Sequence, residues 1–332
     1  MKQNLKRIVL ALTIFTSLLT TGCSNDNDDD DLLGNWIRKS AFDGPARSSA
    51  VAFIIDNYVY IATGYTGDAY LKDLWVYNSE GDYWEQKADF TGIARSAASA
   101  FELDGNGYIG LGYDGTNKLK DFYQYNPNTN TWTQKADFAG TARYSAVGFQ
   151  VGGKAFFGTG YDGNYLKDFY QYNPTADSWN IVSGFSGNKR RNATVFIIDD
   201  KAYLGTGINN GAYQTDFWMY DPTTEAWTKK RDLNDDEDDH DDYNIARSNA
   251  VSFSMDGLGY VGTGESSKTI WEYNPSTDLW KEKTALEGSG RTDALGISIN
   301  NRGFIILGRS GSSYYDDCWE FKPQQEQDDD DN

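Results

Sequence analysis

Residues 84–132 read WEQKADFTGIARSAASAFELDGNGYIGLGYDGTNKLKDFYQYNPNTNTW. Two tryptophans, Trp84 and Trp132, bracket a stretch broken by Asp104-Gly105-Asn106 and Asn126-Pro127-Asn128-Thr129, both turn formers. Between the turns lie short segments rich in aromatic and β-branched residues, with aromatics alternating at Tyr123 and Tyr125. Period-two patterning of this kind predicts short antiparallel strands rather than helices.

The register of this stretch recurs along the chain. Arg47, Arg95, Arg143, Arg190, Arg247 and Arg291 each precede an alanine by three positions, and a glycine follows each arginine by seventeen, at Gly64, Gly112, Gly160, Gly207, Gly264 and Gly308. Aromatic pairs come next, at Trp75/Tyr77, Tyr123/Tyr125, Tyr170/Tyr172, Trp218/Tyr220, Trp271/Tyr273 and Trp319/Phe321. Tryptophans at 84, 132, 179, 227 and 280 follow the second aromatic by seven. Four strands in a period of about forty-eight residues is a propeller-blade signature, because one such sheet cannot bury both faces and must stack around an axis. The fold class expected is all-β, a six-bladed β-propeller.

The sixth repeat stops at residues 319–322 without its fourth-strand tryptophan, while Trp36 precedes Arg47 by eleven, the offset of Trp84 from Arg95. The N-terminal strand is therefore expected to complete the last blade and to remove its exposed edge. Packing between blades accounts for the tryptophans.

Across residues 34–323 the chain resembles the kelch family of β-propellers, in its glycine turn and in the tyrosine–tryptophan spacing, with Gly-x-Gly where Gly-Gly is usual. Galactose-oxidase-like and bacterial kelch propellers are the relatives implied. A copper site of the galactose-oxidase type does not follow, since that family uses two histidines and this chain has only His240.

Residues 1–22 carry Lys2, Lys6 and Arg7 ahead of an apolar run, and read as a signal peptide. Leu19-Thr20-Thr21-Gly22-Cys23 resembles a bacterial lipobox, with Thr20 where leucine is usual, and implies lipidation at Cys23. Ordinary cleavage near Gly22 is the alternative. Residues 23–33 form an acidic tether that resembles the export signal of Bacteroidota surface lipoproteins, implying an outer-membrane protein facing the medium; a periplasm-facing spacer explains the same residues. An acidic tail follows the propeller at 324–332.

The net charge of −19 is concentrated in three acidic runs, at 26–31, 235–242 and 326–331, and the remainder is about −2. Solvated acidic tracts repel phosphate-rich partners, which argues against nucleic acid. Cys23 and Cys318 are the only cysteines, so no disulfide framework is expected and Cys318 reads as a packed free thiol.

Alternation of strand direction puts the link into each first strand and the link from second to third strand on one face. That face has long loops and the other has tight turns. Long loops on a rigid scaffold are where binding residues gather. The six arginines start the innermost strands there, positioned to encircle the channel mouth, with Tyr65, Tyr113, Tyr161, Glu265 and Arg309 just after the turn glycines and Asp114 and Asp162 one further. A ring of arginine, tyrosine and aspartate suits hydroxyl-rich or carboxylate-bearing ligands. The competing reading is that Asp73, Asp121, Asp168, Asp216 and Asp317, 25 or 26 positions beyond the arginines, pair with them and pin the loops. Thr269 replaces the aspartate in the fifth repeat and leaves Arg247 the freest.

An insertion at 234–244 carries the run 235–242, whose oxygens could hold Ca²⁺, although it lacks the glycine and spacing of a dedicated calcium loop. No cofactor or metal is otherwise expected. The functional expectation is a monomeric envelope lipoprotein, held to the membrane by its lipid, whose long-loop face binds a glycan or an envelope protein. The alternative, implied by resemblance to sialic-acid mutarotases, is a carbohydrate mutarotase or epimerase with Glu265 as the acid–base group.

Overall fold

A computed structural model describes residues 32–182, 184–234 and 243–328. Six four-stranded antiparallel sheets, with no helix among the described residues, stand around a common axis. Blade one comprises Val51–Ile55, Tyr58–Ala62, Leu74–Asn78 and Tyr83–Lys87, paired in that order. Blades two to five repeat the pattern, opening at Ser99, Val147, Thr194 and Val251. Their first strands alternate buried and half-buried side chains and stack on one another around the axis. The second strands, buried over four successive residues, are walled on both faces by neighbouring blades.

Blade six is built from both ends of the chain. Asn35–Lys39 lies antiparallel on Cys318–Lys322, with Trp36 opposite Phe321 and their rings 4.5 Å apart. Trp36 is fully buried. Its offset from Arg47 thus correctly located the strand that closes the ring. Cys318 is a buried free thiol, and burial pushes its pKa upward.

The tyrosine–tryptophan spacing has a local cause. Tyr77, Tyr125, Tyr172 and Tyr273 lie opposite Trp84, Trp132, Trp179 and Trp280 across a four-residue turn. Each hydroxyl donates to a side chain at the turn's left-handed residue, as Tyr77 does to Asp82 at 2.6 Å and Tyr273 to Asp278 at 2.7 Å. Asn78 and Asn126 start these turns by accepting the backbone N–H two positions on. Packing explains the tryptophans, since Trp84 meets the Phe42 ring edge-on at 4.8 Å and Trp179 meets Phe138 at 5.2 Å.

Two closed rings of backbone hydrogen bonds lock the blades at the long-loop face. Each turn glycine donates its N–H to the carbonyl of the next blade's arginine, from Gly64 to Arg95 and onward until Gly308 returns to Arg47. At Gly264, φ is +81° and a Cβ would lie 2.6 Å from the Ser248 carbonyl oxygen, so no other residue fits without shifting backbone. Nearer the axis, Ser49, Ala97, Ser145, Asn192, Asn249 and Asp293 all adopt positive φ. Each donates its N–H to the preceding one's carbonyl, and Ser49 donates to Asp293, closing the circle at 2.9–3.4 Å. Cooperative closure of this kind gives loops a rigid base.

Candidate functional site

The arginines divide into five and one. Arg47, Arg95, Arg143, Arg190 and Arg291 are 0–1 % exposed. Arg47 donates through Nη1 and Nη2 to Asp73 at 2.5 Å each, and also to the backbone oxygens of Thr63 and Pro45. Arg95–Asp121, Arg143–Asp168 and Arg291–Asp317 repeat this fork at 2.5–2.9 Å. Arg190 reaches one oxygen of Asp216, whose other oxygen accepts from Asn188 N–H and Trp218 Nε1. Phe42, Phe90 and Phe138 lie against the first three guanidinium groups at 4.9–5.0 Å. The expectation that these five arginines contact ligand is therefore corrected. Their forks are spent on internal carboxylates, and they pin the loop between second and third strands to the entry of the first.

Burial pushes Asp216 upward, but the Arg190 charge, the Asn188 N–H and the Trp218 indole outweigh it and hold the carboxyl below its ordinary value. Asp317 follows the same balance, with Arg291 and the Trp319 indole prevailing over burial.

Among the described residues Arg247 has no such partner. Its Nε donates to the Ile245 oxygen at 3.0 Å, Nη1 to the Thr263 oxygen at 3.0 Å and Thr269 Oγ1 at 2.8 Å, and Nη2 to the Asn244 oxygen at 2.7 Å. Every acceptor is neutral. Burial lowers the guanidinium pKa and Glu282 pushes it back, yet a group of this basicity keeps its proton. Beside it opens a cleft of about 360 Å³, walled among others by Tyr213, Asn244, Glu265, Trp271 and Glu282. Tyr213, on a small hairpin formed by Ile208–Asn209 and Ala212–Tyr213, is 44 % exposed.

Glu265 is exposed on the cleft wall, in a left-handed conformation that follows directly from the Gly264 turn. Ser248 Oγ donates to its carboxylate at 2.5 Å. Arg309 lies apart from Arg247, donating to Asp293 at 3.2 Å on the channel rim. Burial raises the pKa of Asp293, opposed by Arg309 and reinforced by the Glu265 charge.

The remaining expected ligand residues build loops. Tyr65 and Tyr113 donate their hydroxyls to the Gly67 and Gly115 carbonyls two residues on. They join Tyr314, Tyr70, Tyr144, Tyr161 and Tyr165 in an arc of ring contacts 4.7–6.3 Å apart. Arg191 caps one end, 4.9 Å from the Tyr161 ring centre. Glycines receive some of these rings, for a Cβ at Gly67 would meet Tyr314 at 2.8 Å and one at Gly115 would meet Tyr70 at 2.7 Å. Asp114 and Asp162 accept backbone N–H bonds from Asn117 and Asn164 within their own loops. The backbone N–H bonds of Asn117 and Thr116 hold Asp114 below its ordinary value.

Sequence reasoning found Arg247 and Glu265 but missed Tyr213, Trp271 and Glu282 as cleft walls, since they come from three separate strands. Cys23, the tether to Asp31, His240 and the acidic run 235–242 lie outside the described residues. No helix among the described residues is long and apolar enough to cross a membrane.

Residues 46–91, blade one with its entry loop, match the model of the Kelch motif. No curated protein matches the chain by sequence. A solved structure described as "Structure of YjhT" is similar to it with a TM-score of 0.70 at 18 % identity, over 84 % of this chain and 95 % of that one. Similarity at that identity shows the fold alone. With 844 solved chains matching, the architecture selects no function by itself, which has to be argued from the cleft.

Proposed function

For a six-bladed β-propeller carrying the Kelch motif, we propose the role of a lipid-anchored recognition module of the cell envelope, whose long-loop face binds a glycan in the blade-five cleft. One observation carries this reading: of six equivalent arginines, the one without a carboxylate partner among the described residues lines an open cleft with an exposed tyrosine and two glutamates. Carboxylates accept hydroxyl hydrogens, an aromatic face covers the apolar side of a sugar ring, and a rigid base spares the cost of ordering the loops.

The chain path supports presentation away from the membrane. Asn35 begins the closing strand at the tight-turn end of blade six, where Gly34 N–H donates to the Gln325 oxygen at 2.8 Å. The described chain thus enters the propeller at the face opposite its cleft. Protease shaving of intact cells tests display: loss of the protein supports a surface location, and full protection supports the periplasmic side.

A glycan panel bound by the full chain, compared with Tyr213→Ala, tests the site. The expected result is a specific sugar whose affinity falls about tenfold in the variant. Silence across the panel would transfer the reading to an envelope protein. The position of Glu265 favours a second reading, a carbohydrate mutarotase, because an exposed carboxylate oriented by Ser248 faces the same cleft as Arg247. Anomer interconversion abolished by Glu265→Gln would establish that activity.

A further inference from the structure

Three blades share a three-membered device in which one aspartate answers an arginine and an indole together. Asp73 accepts from Arg47 Nη2 and from Trp75 Nε1 at 2.8 Å, and Asp317 accepts from Arg291 Nη2 at 2.8 Å and Trp319 Nε1 at 2.7 Å. Asp216 does the same for Arg190 and Trp218, one oxygen each. Blade five keeps both donors, Arg247 and Trp271, and replaces the acceptor with Thr269. The threonine hydroxyl takes one Nη1 hydrogen at 2.8 Å, and the buried Trp271 Nε1 has no partner among the described residues.

An orphaned buried indole N–H is costly, and a buried guanidinium without a counter-ion is costlier still. Both costs fall on one blade, and both side chains line the cleft. We propose that a ligand carboxylate enters the place that aspartate holds in the other blades, accepting from Arg247 and from Trp271 Nε1. Glu265 and Glu282 on the same walls accept hydrogen bonds and repel further negative charge, so the ligand class is a hydroxyl-rich monocarboxylate, a sugar acid. A phosphorylated sugar, doubly charged, is rejected. This inference rests on the cleft being the glycan site.

Indole N–H resonances of the ¹⁵N-labelled full chain report on the vacancy directly, the Trp271 signal being the one lost in Trp271→Phe. Titration with galacturonate is expected to move that signal downfield and to bind at least about tenfold tighter than galactose or galactose 1-phosphate, the effect of one charge-assisted hydrogen-bond pair. Thr269→Asp is expected to show the shifted signal without ligand and to lose galacturonate binding at least about tenfold. Trp271→Phe is expected to weaken galacturonate severalfold and leave galactose unchanged, which keeps the test alive should the aspartate variant fail to fold. An unmoved Trp271 signal, or undiminished galacturonate binding in Thr269→Asp, overturns the proposal. Equal binding of galactose and galacturonate in the cleft would overturn the carboxylate pocket and leave the glycan site standing; perturbation of no cleft resonance by any of the three would remove both.

Discussion

Blade one and blade five hold the same arginine at the same point of the same sheet, but in different electrostatic surroundings. Arg47 is closed on three sides, by Asp73, by two backbone oxygens and by the Phe42 ring. Arg247 keeps the backbone oxygens and exchanges the carboxylate for two hydroxyls, from Thr269 and Ser267. At the position three residues before the arginine, where blade one has Gly44, blade five has an exposed Asn244. One substitution at the aspartate position thus separates a structural rivet from a group that can do chemistry. Ion pairs repeated around a propeller should accordingly be read for the member that lacks its counter-ion.

Asp73→Thr turns blade one into a copy of blade five without a cleft to admit an anion. It should cost about 3–5 kcal/mol in denaturant unfolding, the cost of stranding a buried charge. Arg247→Ala strands no charge, and its loss should stay near 1–3 kcal/mol for the hydrogen bonds to Thr263, Ile245 and Asn244. Equal losses in the two variants would mean that the ring arginines are equivalent after all.

Gly264→Ala sharpens the contrast between scaffold and cleft. A Cβ there meets the Ser248 oxygen at 2.6 Å in a positive-φ turn, so about 1–3 kcal/mol should be lost, and Glu265 should move with it. The check is a paired measurement of unfolding and ligand affinity, in which affinity falls even at temperatures where the variant is fully folded.

Acid should loosen the closed blades and leave blade five alone. Asp216 and Asp317 sit below their ordinary value of 3.8 in the folded protein. Their contribution is whole above that value and disappears as pH falls through the depressed folded values. Unfolding followed between pH 5 and pH 2 should show stability dropping mainly below the ordinary value, with a smaller drop in Asp317→Asn. A pH-independent difference between wild type and that variant would contradict the pairing.

The sequence makes the repeat visible because its causes are local. Gly64 and its equivalents are required by a left-handed turn, Tyr77 and Trp84 by a hairpin, and Trp36 by the edge it covers. Each leaves a fixed spacing. The state of the arginines is less visible, since a separation of 25 or 26 residues to an aspartate fits both a ligand-facing ring and an internal fork. Only the folded loop brings Asp73 within 2.5 Å of Arg47. The exception was nonetheless written in the chain, as Thr269 where the other repeats have aspartate. Tyr213, Trp271 and Glu282 could not be grouped beforehand, because they meet only when a second-to-third link, a third strand and a fourth strand are brought around one cleft.

The most direct test of the vacancy is the thermal unfolding midpoint of Thr269→Asp beside the wild-type full chain, each with and without galacturonate. The introduced aspartate is expected to raise the midpoint by a few degrees, about 1 kcal/mol in effect, and to remove the stabilisation that galacturonate gives the wild type. A lowered midpoint, or a galacturonate shift that survives the substitution, would contradict it.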